Sequence, residues 1–319
     1  MNTANESIYE NICRARNELG TLPPEYSLPQ DGPALSDKVR FADGAMDGIA
    51  LYHMGVPTQD TSLLEQALDA AVTDLEQAHA LVSKWAVDGH MISALGKIQP
   101  YTIERQQQLP PSQIYRLAAE CALQGTHREE VKFGLAMLAL FDTDNNEQLK
   151  NALRILALSD EFTFYVLQIA ASWSSSSLET LRMAKNVRGW GRIHAVVQLE
   201  PVTEEIRDWL FTEGWDNTIT CAYSALECCR KSGFRERLEK GLSGIDYACA
   251  CGLLEALLDE GPMEGISAVE DAEGLLKAFL ECSASKAVSP ERQKLLSQIA
   301  DYASSNELPE IAQYASRLL

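Results

Sequence analysis

Positive charge is what this chain has least of. It carries 27 Lys and Arg against 46 Asp and Glu, for a net charge of −19. Such a surface repels a phosphate backbone, which excludes broad nucleic-acid binding. Histidine is sparse too: the five residues His53, His79, His90, His127 and His194 are scattered, with no His-x-x-x-His pair to seed a metal site. The eight cysteines contain no Cys-x-x-Cys. Cys228-Cys229 and Cys249-Ala250-Cys251 have the wrong spacing for two thiolates to close on zinc. No apolar run approaches the ~18 residues that span a bilayer, so no membrane role is expected. There is no Gly-x-Ser-x-Gly elbow for a nucleophilic serine. Gly189 and Gly191 make a Gly-x-Gly, but without a third glycine or a preceding strand they do not form a dinucleotide turn. Asp142-Thr143-Asp144-Asn145-Asn146 opens like a calcium loop and then fails, with Glu147 at the turn position and Leu153 at the twelfth. No metal and no cofactor is expected.

Helical periodicity is abundant, and strand alternation is scarce. Hydrophobic residues make up 46% of the chain, enough for a large core. Residues 6–19 read as a first helix, with Ile8, Ile12, Ala15 and Leu19 on one face. The segment from Leu22 to Pro33 contains four prolines and reads as a loop or extended arm. Residues 44–54 and 61–86 read as helices, the second a single long one. Pro100 and Pro110-Pro111 punctuate the next stretch of chain, which places a boundary near residue 110. Beyond it come helices of about 10–16 residues joined by short connections, with stops and starts at Gly125-Thr126, Ser159-Asp160, Glu200-Pro201, Gly233, Gly261-Pro262 and Ser289-Pro290. The expected fold is all-α: an irregular N-terminal helical region over 1–110, then an α-α superhelix of stacked hairpins over 111–319. The polar, acidic start Met1-Asn2-Thr3-Ala4-Asn5-Glu6 and the cysteines in apolar helical patterns suit a cytoplasmic protein.

The charge is uneven. Residues 1–110 carry about −8, 111–175 about −3, 176–240 about 0 and 241–319 about −8. Two segments rise above this background. In Asp43-Gly44-Ala45-Met46-Asp47-Gly48 the carboxylates are spaced i, i+4 and share a helical face, with Tyr52 and His53 nearby. They are either a capping Asp43 with a solvent-facing Asp47, or a pair for acid–base work. In the charge-neutral block, Arg182, Lys185, Arg188 and Arg192 form a basic stripe beside Trp190 and His194. This is either a docking patch for an acidic peptide, a carboxylate or a phosphate, or a set of cations paired with nearby glutamates while Trp190 fills the core.

The stretch from Arg188 to Glu213 resembles a HEAT-type or armadillo-type hairpin. Trp190-Gly191-Arg192 opens one helix, Ala195 and Leu199 line its packed side, and Pro201 starts the partner. The regular Asp-Val-Arg ladder between repeats is missing. Gly189 to Pro201, taken with Asp43-Gly44 and His53-Met54-Gly55, also resembles a bacterial family of which some members carry the label limonene hydroxylase. That resemblance implies an enzyme acting on a small metabolite, with a site near Asp43, Asp47, His53 and His90.

The residues themselves favour a protein-binding or scaffold module over an enzyme, because a solenoid offers a long surface and the chain holds no catalytic motif. Its partner would present a basic face to the acidic ends, with Arg182, Lys185, Arg188, Trp190, Arg192 and His194 at a central contact.

Overall fold

The computed structural model describes residues 6–29, 41–261 and 263–319, and among them eighteen α-helices and no β-strand are found. The protein is all-α, as its periodicity predicts. By packing, the chain forms two compact units, Met1–Ala195 and Val196–Leu319.

The first unit holds α1 (Ile8–Ala15), α2 (Ala45–Ile49), α3 (Ser62–Ala70), α4 (Leu75–Ala86), α5 (Met91–Glu104) and α6 (Pro111–Gln124). It continues with α7 (Arg128–Leu138), α8 (Glu147–Leu156), α9 (Asp160–Ala170), α10 (Ser176–Asn186) and the first turns of α11 (Trp190–Gln198). A π-helical turn, Ala50–Met54, prolongs α2. At the centre lies α7, buried on every side from Glu129 to Leu138. It packs against α4, α5, α6 and α9. Gly134 permits the approach of α6, since a Cβ there would stand 2.4 Å from the backbone nitrogen of Ala122.

The second unit holds α12 (Glu204–Trp209), prolonged by a π-helical turn Leu210–Gly214, then α13 (Ala222–Ser232), α14 (Phe234–Lys240) and α15 (Gly244–Leu258). After these come α16 (Ala272–Ser283), α17 (Pro290–Ser305) and α18 (Pro309–Leu318). Here α13 packs on α15, α14 on α16, α15 on α17, and α16 on α18.

Several sequence expectations are corrected. The first helix stops at Ala15, and Leu19 is 87% exposed instead of lying on its apolar face. The cause is Asn17, whose Oδ1 accepts from the backbone nitrogens of Leu19 and Thr21 and folds the chain into a turn. The long helix expected over 61–86 is two, because Asp74 caps α4 by accepting from the nitrogen of Gln77. Pro100 does not end a helix but sits inside α5. There Gly96, one turn earlier, faces open space, and packing on α3 and α7 holds the helix together. Across residue 110, α4 packs on α6 and α7 and α5 packs on α7, and Pro111 is the first residue of α6. Of the proline-rich arm, Leu22 to Pro29 is non-helical, while Gln30 to Pro33 lie outside the described residues, as does Pro262. No helix among the described residues is long and apolar enough to cross a membrane.

Candidate functional site

The two segments that stand out in the sequence meet in the first unit. The face of α2 bearing Gly44 and Gly48 lies against the start of α11. A Cβ on Gly48 would stand 2.1 Å from Cε3 of Trp190, and one on Gly44 would stand 2.7 Å from the carbonyl oxygen of Asp160. Gly44 also has φ +79°, a backbone conformation that glycine adopts at little cost.

Around this junction, buried and half-buried carboxylates cap the N-termini of neighbouring helices. Glu161 on α9 accepts from the nitrogen of Gly44 at 2.7 Å, at the start of α2. Asp160, beside it, accepts from the nitrogens of Gly189 and Gly191 at 3.0 and 2.7 Å, at the start of α11. Glu129 on α7 accepts from the nitrogen of Met91 at 2.5 Å, at the start of α5. A helix N-terminus leaves backbone N–H groups without partners and carries partial positive charge, and a carboxylate answers both.

Lys132 neutralises the cluster. Its side chain is 1% exposed, and Nζ lies 2.6 Å from Glu161, 2.9 Å from Asp47 and 3.0 Å from Glu129. Among the described residues Oδ2 of Asp47 has no hydrogen bond of good direction, and its contact with Lys132 is ionic. Arg128, one turn earlier, pairs with Asp43 at 3.0 Å and reaches Glu161 at 3.5 Å. It also donates to the carbonyls of Leu28 and Pro29. Lys132 lies 5.9 Å from the centre of the Tyr165 ring, whose buried hydroxyl has no hydrogen-bond partner among the described residues.

These surroundings shift the ionisation of each group. Burial pushes Asp47 up to about 6, with Lys132 opposing and the charges of Glu129 and Glu161 adding to the rise. Burial likewise raises Asp160 to about 6, against the two backbone N–H groups it accepts from. Burial also pushes Glu161 upward, but Lys132 and Arg128 outweigh it and hold that carboxyl below its ordinary value. Lys132 is disfavoured as a cation by burial, yet the carboxylates around it raise its pKa well above the usual value.

The sequence-predicted residues are therefore divided. Asp43 and Asp47 are tied into the cluster, and Asp47 is buried instead of facing solvent. His53 and His90 are exposed, and the backbone nitrogen of His90 donates to Gln59. Trp190, Arg192 and His194 are 4–5% exposed, which removes them from the expected docking patch. Trp190 fills the space over Gly48. Arg192 donates to the carbonyl of Val187 at 2.8 Å. Nδ1 of His194 lies 3.1 Å from the hydroxyl of Tyr52, with the rings stacked, while its buried Nε2 has no hydrogen-bond partner among the described residues. Of the basic stripe, Arg182, Lys185 and Arg188 remain exposed. Glu179, which sequence proximity offers to the stripe, instead binds Arg154 at 2.7 Å.

Sequence reasoning does not single out Lys132, Arg128, Glu129, Asp160, Glu161 or Tyr165. One signal does point to Lys132: it is a lone cation in the apolar run Val131-Lys132-Phe133-Gly134-Leu135-Ala136-Met137-Leu138, which only an internal counter-charge makes tolerable. The calcium-like loop is satisfied internally, since Lys150 pairs with Asp144 at 2.8 Å and Asn146 caps α8. Among the described residues, no group of His, Cys, Asp and Glu is placed to hold a metal ion. Comparison of the chain with family models, with curated proteins and with solved structures yields no match.

Proposed function

We propose that this protein is a protein-binding module, its helices stacked as a HEAT- or armadillo-like α-solenoid, and that its partner presents a basic face. The stacking is supported by a recurring relation within each unit. Helices meet the helix two further along the chain, as α3 meets α5, α5 meets α7 and α7 meets α9, and as α13 meets α15 and α15 meets α17. Consecutive antiparallel layers produce such a relation. It extends to α3, so the region before residue 110 belongs to the array instead of preceding it.

The observation that carries the reading is where charge resides. Among the described residues, the buried cations Lys132, Lys150, Arg192 and Arg292 nearly balance the buried carboxylates Asp47, Glu129, Glu130, Glu161 and Glu179. The acidic excess of the chain therefore lies at the surface, where it steers and selects a basic partner. The enzyme reading loses support at the same point. Asp43 and Asp47 serve as ion-pair partners of Arg128 and Lys132, and Asp47 is 2% exposed, out of reach of a substrate.

Cross-linking in native lysate at low and high salt, followed by mass spectrometry, tests the proposal. The expected result is a stoichiometric partner, basic at the cross-linked face, whose yield falls as salt rises. A partner with an acidic contact face, salt-insensitive capture, or no partner at all would overturn it.

A further inference from the structure

One cleft in the first unit runs against the charge of the whole chain. It has a volume of about 300 Å³ and is lined by Arg16, Arg154 and Arg182, with no carboxylate among its lining residues. In a chain of net charge −19, three guanidinium groups lining one cleft are an electrostatic exception.

Arg154 is accounted for. It grips Glu179 with Nε at 2.9 Å and Nη2 at 2.7 Å, and Nη1 reaches Glu147 and Asn151. Arg16 is not: among the described residues its side chain makes no ion pair, and its hydrogen bonding is a 3.5 Å approach of Nε to the carbonyl of Cys13. Arg182 makes no side-chain hydrogen bond or ion pair among the described residues, and only its backbone carbonyl is used, by Asn186. The cleft therefore presents two uncommitted guanidinium groups. Asn151 and Asn186 add polar groups to the wall, and Ile155, Leu158 and Met183 make its apolar part. Leu19, 87% exposed, stands at the rim on the turn organised by Asn17.

We infer that this cleft binds a compact organic anion, a single carboxylate or phosphate on a small apolar body. The planar fork of Arg matches the oxygens of either group in a bidentate fashion. The apolar wall and Leu19 would cover the body, and the volume is at the small end of ligand sites. An extended polyanion is disfavoured, because beyond the cleft it meets the acidic surface. This site stands apart from the proposed basic partner, which would be attracted by charge of the opposite sign.

The anion has two sources, a free small molecule or an acidic side chain of another protein. Isothermal titration calorimetry on the full chain separates them, using 3-phenylpropionate and phenyl phosphate in one arm and a blocked peptide with one Glu between leucines in the other. The expected result is one saturable site in at least one arm, weakened about tenfold or more in Arg16→Gln/Arg182→Gln and unchanged in Lys294→Gln. Both arginines are exposed, so thermal melting of the variant should match the parent; the single variants repeat the measurement if it does not. No saturation in either arm up to about 10 mM, binding indifferent to both arginines, or an equal loss in Lys294→Gln would overturn the assignment. Salt-dependent capture of a basic protein would be unaffected by any of these results.

Discussion

Gly48 lies directly beneath the indole of Trp190, so close that a Cβ would stand 2.1 Å from Cε3 and 2.5 Å from Cδ2. The glycine exists for the tryptophan. In Gly48→Ala either the ring or α2 must move, and overpacking of this kind costs about 1–3 kcal/mol. Urea unfolding should show that loss, and a much smaller one when Trp190→Leu is already in place. Equal losses in the two backgrounds would mean that the residues do not act on each other.

Lys132 is the counter-charge for Asp47, Glu129 and Glu161. Lys132→Met keeps the volume and leaves buried carboxylates uncompensated, at a cost of about 3–5 kcal/mol. The cost should shrink between pH 7.5 and pH 5, because the unpaired carboxyls of the variant take up protons. Denaturant melts at the two pH values check this, and a pH-independent cost would assign Lys132 a packing role instead.

These two relationships differ in how visible they are along the chain. Helices such as α6, α9 and α14 are legible because caps, prolines and apolar spacing are local signals, as at Ser159 and Gly233. The ion cluster is not, because Lys132 and Asp47 are 85 residues apart and a carboxylate that caps a distant helix looks like any other acidic residue at a helix start. Along the chain, Asp160 and Glu161 mark only the beginning of α9, whereas each also caps a helix elsewhere. Along the chain Trp190 reads equally as a partner anchor beside the basic stripe or as core filling. Only the third dimension places Gly48 under its ring. The cleft arginines are half visible: Arg182 belongs to the basic stripe, but nothing in spacing joins it to Arg16.

Burial lowers the pKa of His194 from 6.5 to about 4. Between those values the unfolded chain binds the proton and the folded one does not. The contribution of this residue is thus complete above pH 6.5 and is lost as pH falls toward 4, amounting to about 3 kcal/mol. Asp47 and Asp160 act with the opposite sign: raised from 3.8 to about 6, they add stability as pH falls through that interval. The parent protein shows the sum, so the informative quantity is a difference. Relative to the parent, His194→Gln should gain stability steadily from pH 6.5 to pH 4 in urea melts. A constant difference would show that the imidazole is not kept neutral by folding.

In the second unit, Arg292 is 6% exposed and joins two helix C-termini. It donates to Oγ and the carbonyl of Ser283, at the end of α16, and to the carbonyl of Leu318, at the end of α18. A cation there meets unpaired carbonyls and the negative end of each helix. Arg292→Met should speed amide exchange in α18 before any other helix of that unit. Uniform acceleration across the unit would indicate global destabilisation without a local tie.

Asp160 supplies the cap that α11 does not carry in its own sequence. Gly189 and Gly191 are the donors, and glycine is required at 191 because a Cβ there would stand 2.5 Å from Oγ1 of Thr163 and 2.9 Å from Oδ1 of Asp160. Asp160→Ala strands both N–H groups and should cost about 1–3 kcal/mol at neutral pH. Asp160→Asn keeps an acceptor in place and removes a half-buried charge, so it should cost far less. The two variants also differ from the parent in pH dependence. Folding raises the pKa of Asp160 from 3.8 to about 6, so its contribution is complete below 3.8 and is lost as pH rises through 6. Both variants should therefore compare better with the parent at pH 7 than at pH 4. A parent that gains no relative stability at pH 4 would mean that the carboxyl remains ionised there, held by the two backbone donors against the effect of burial.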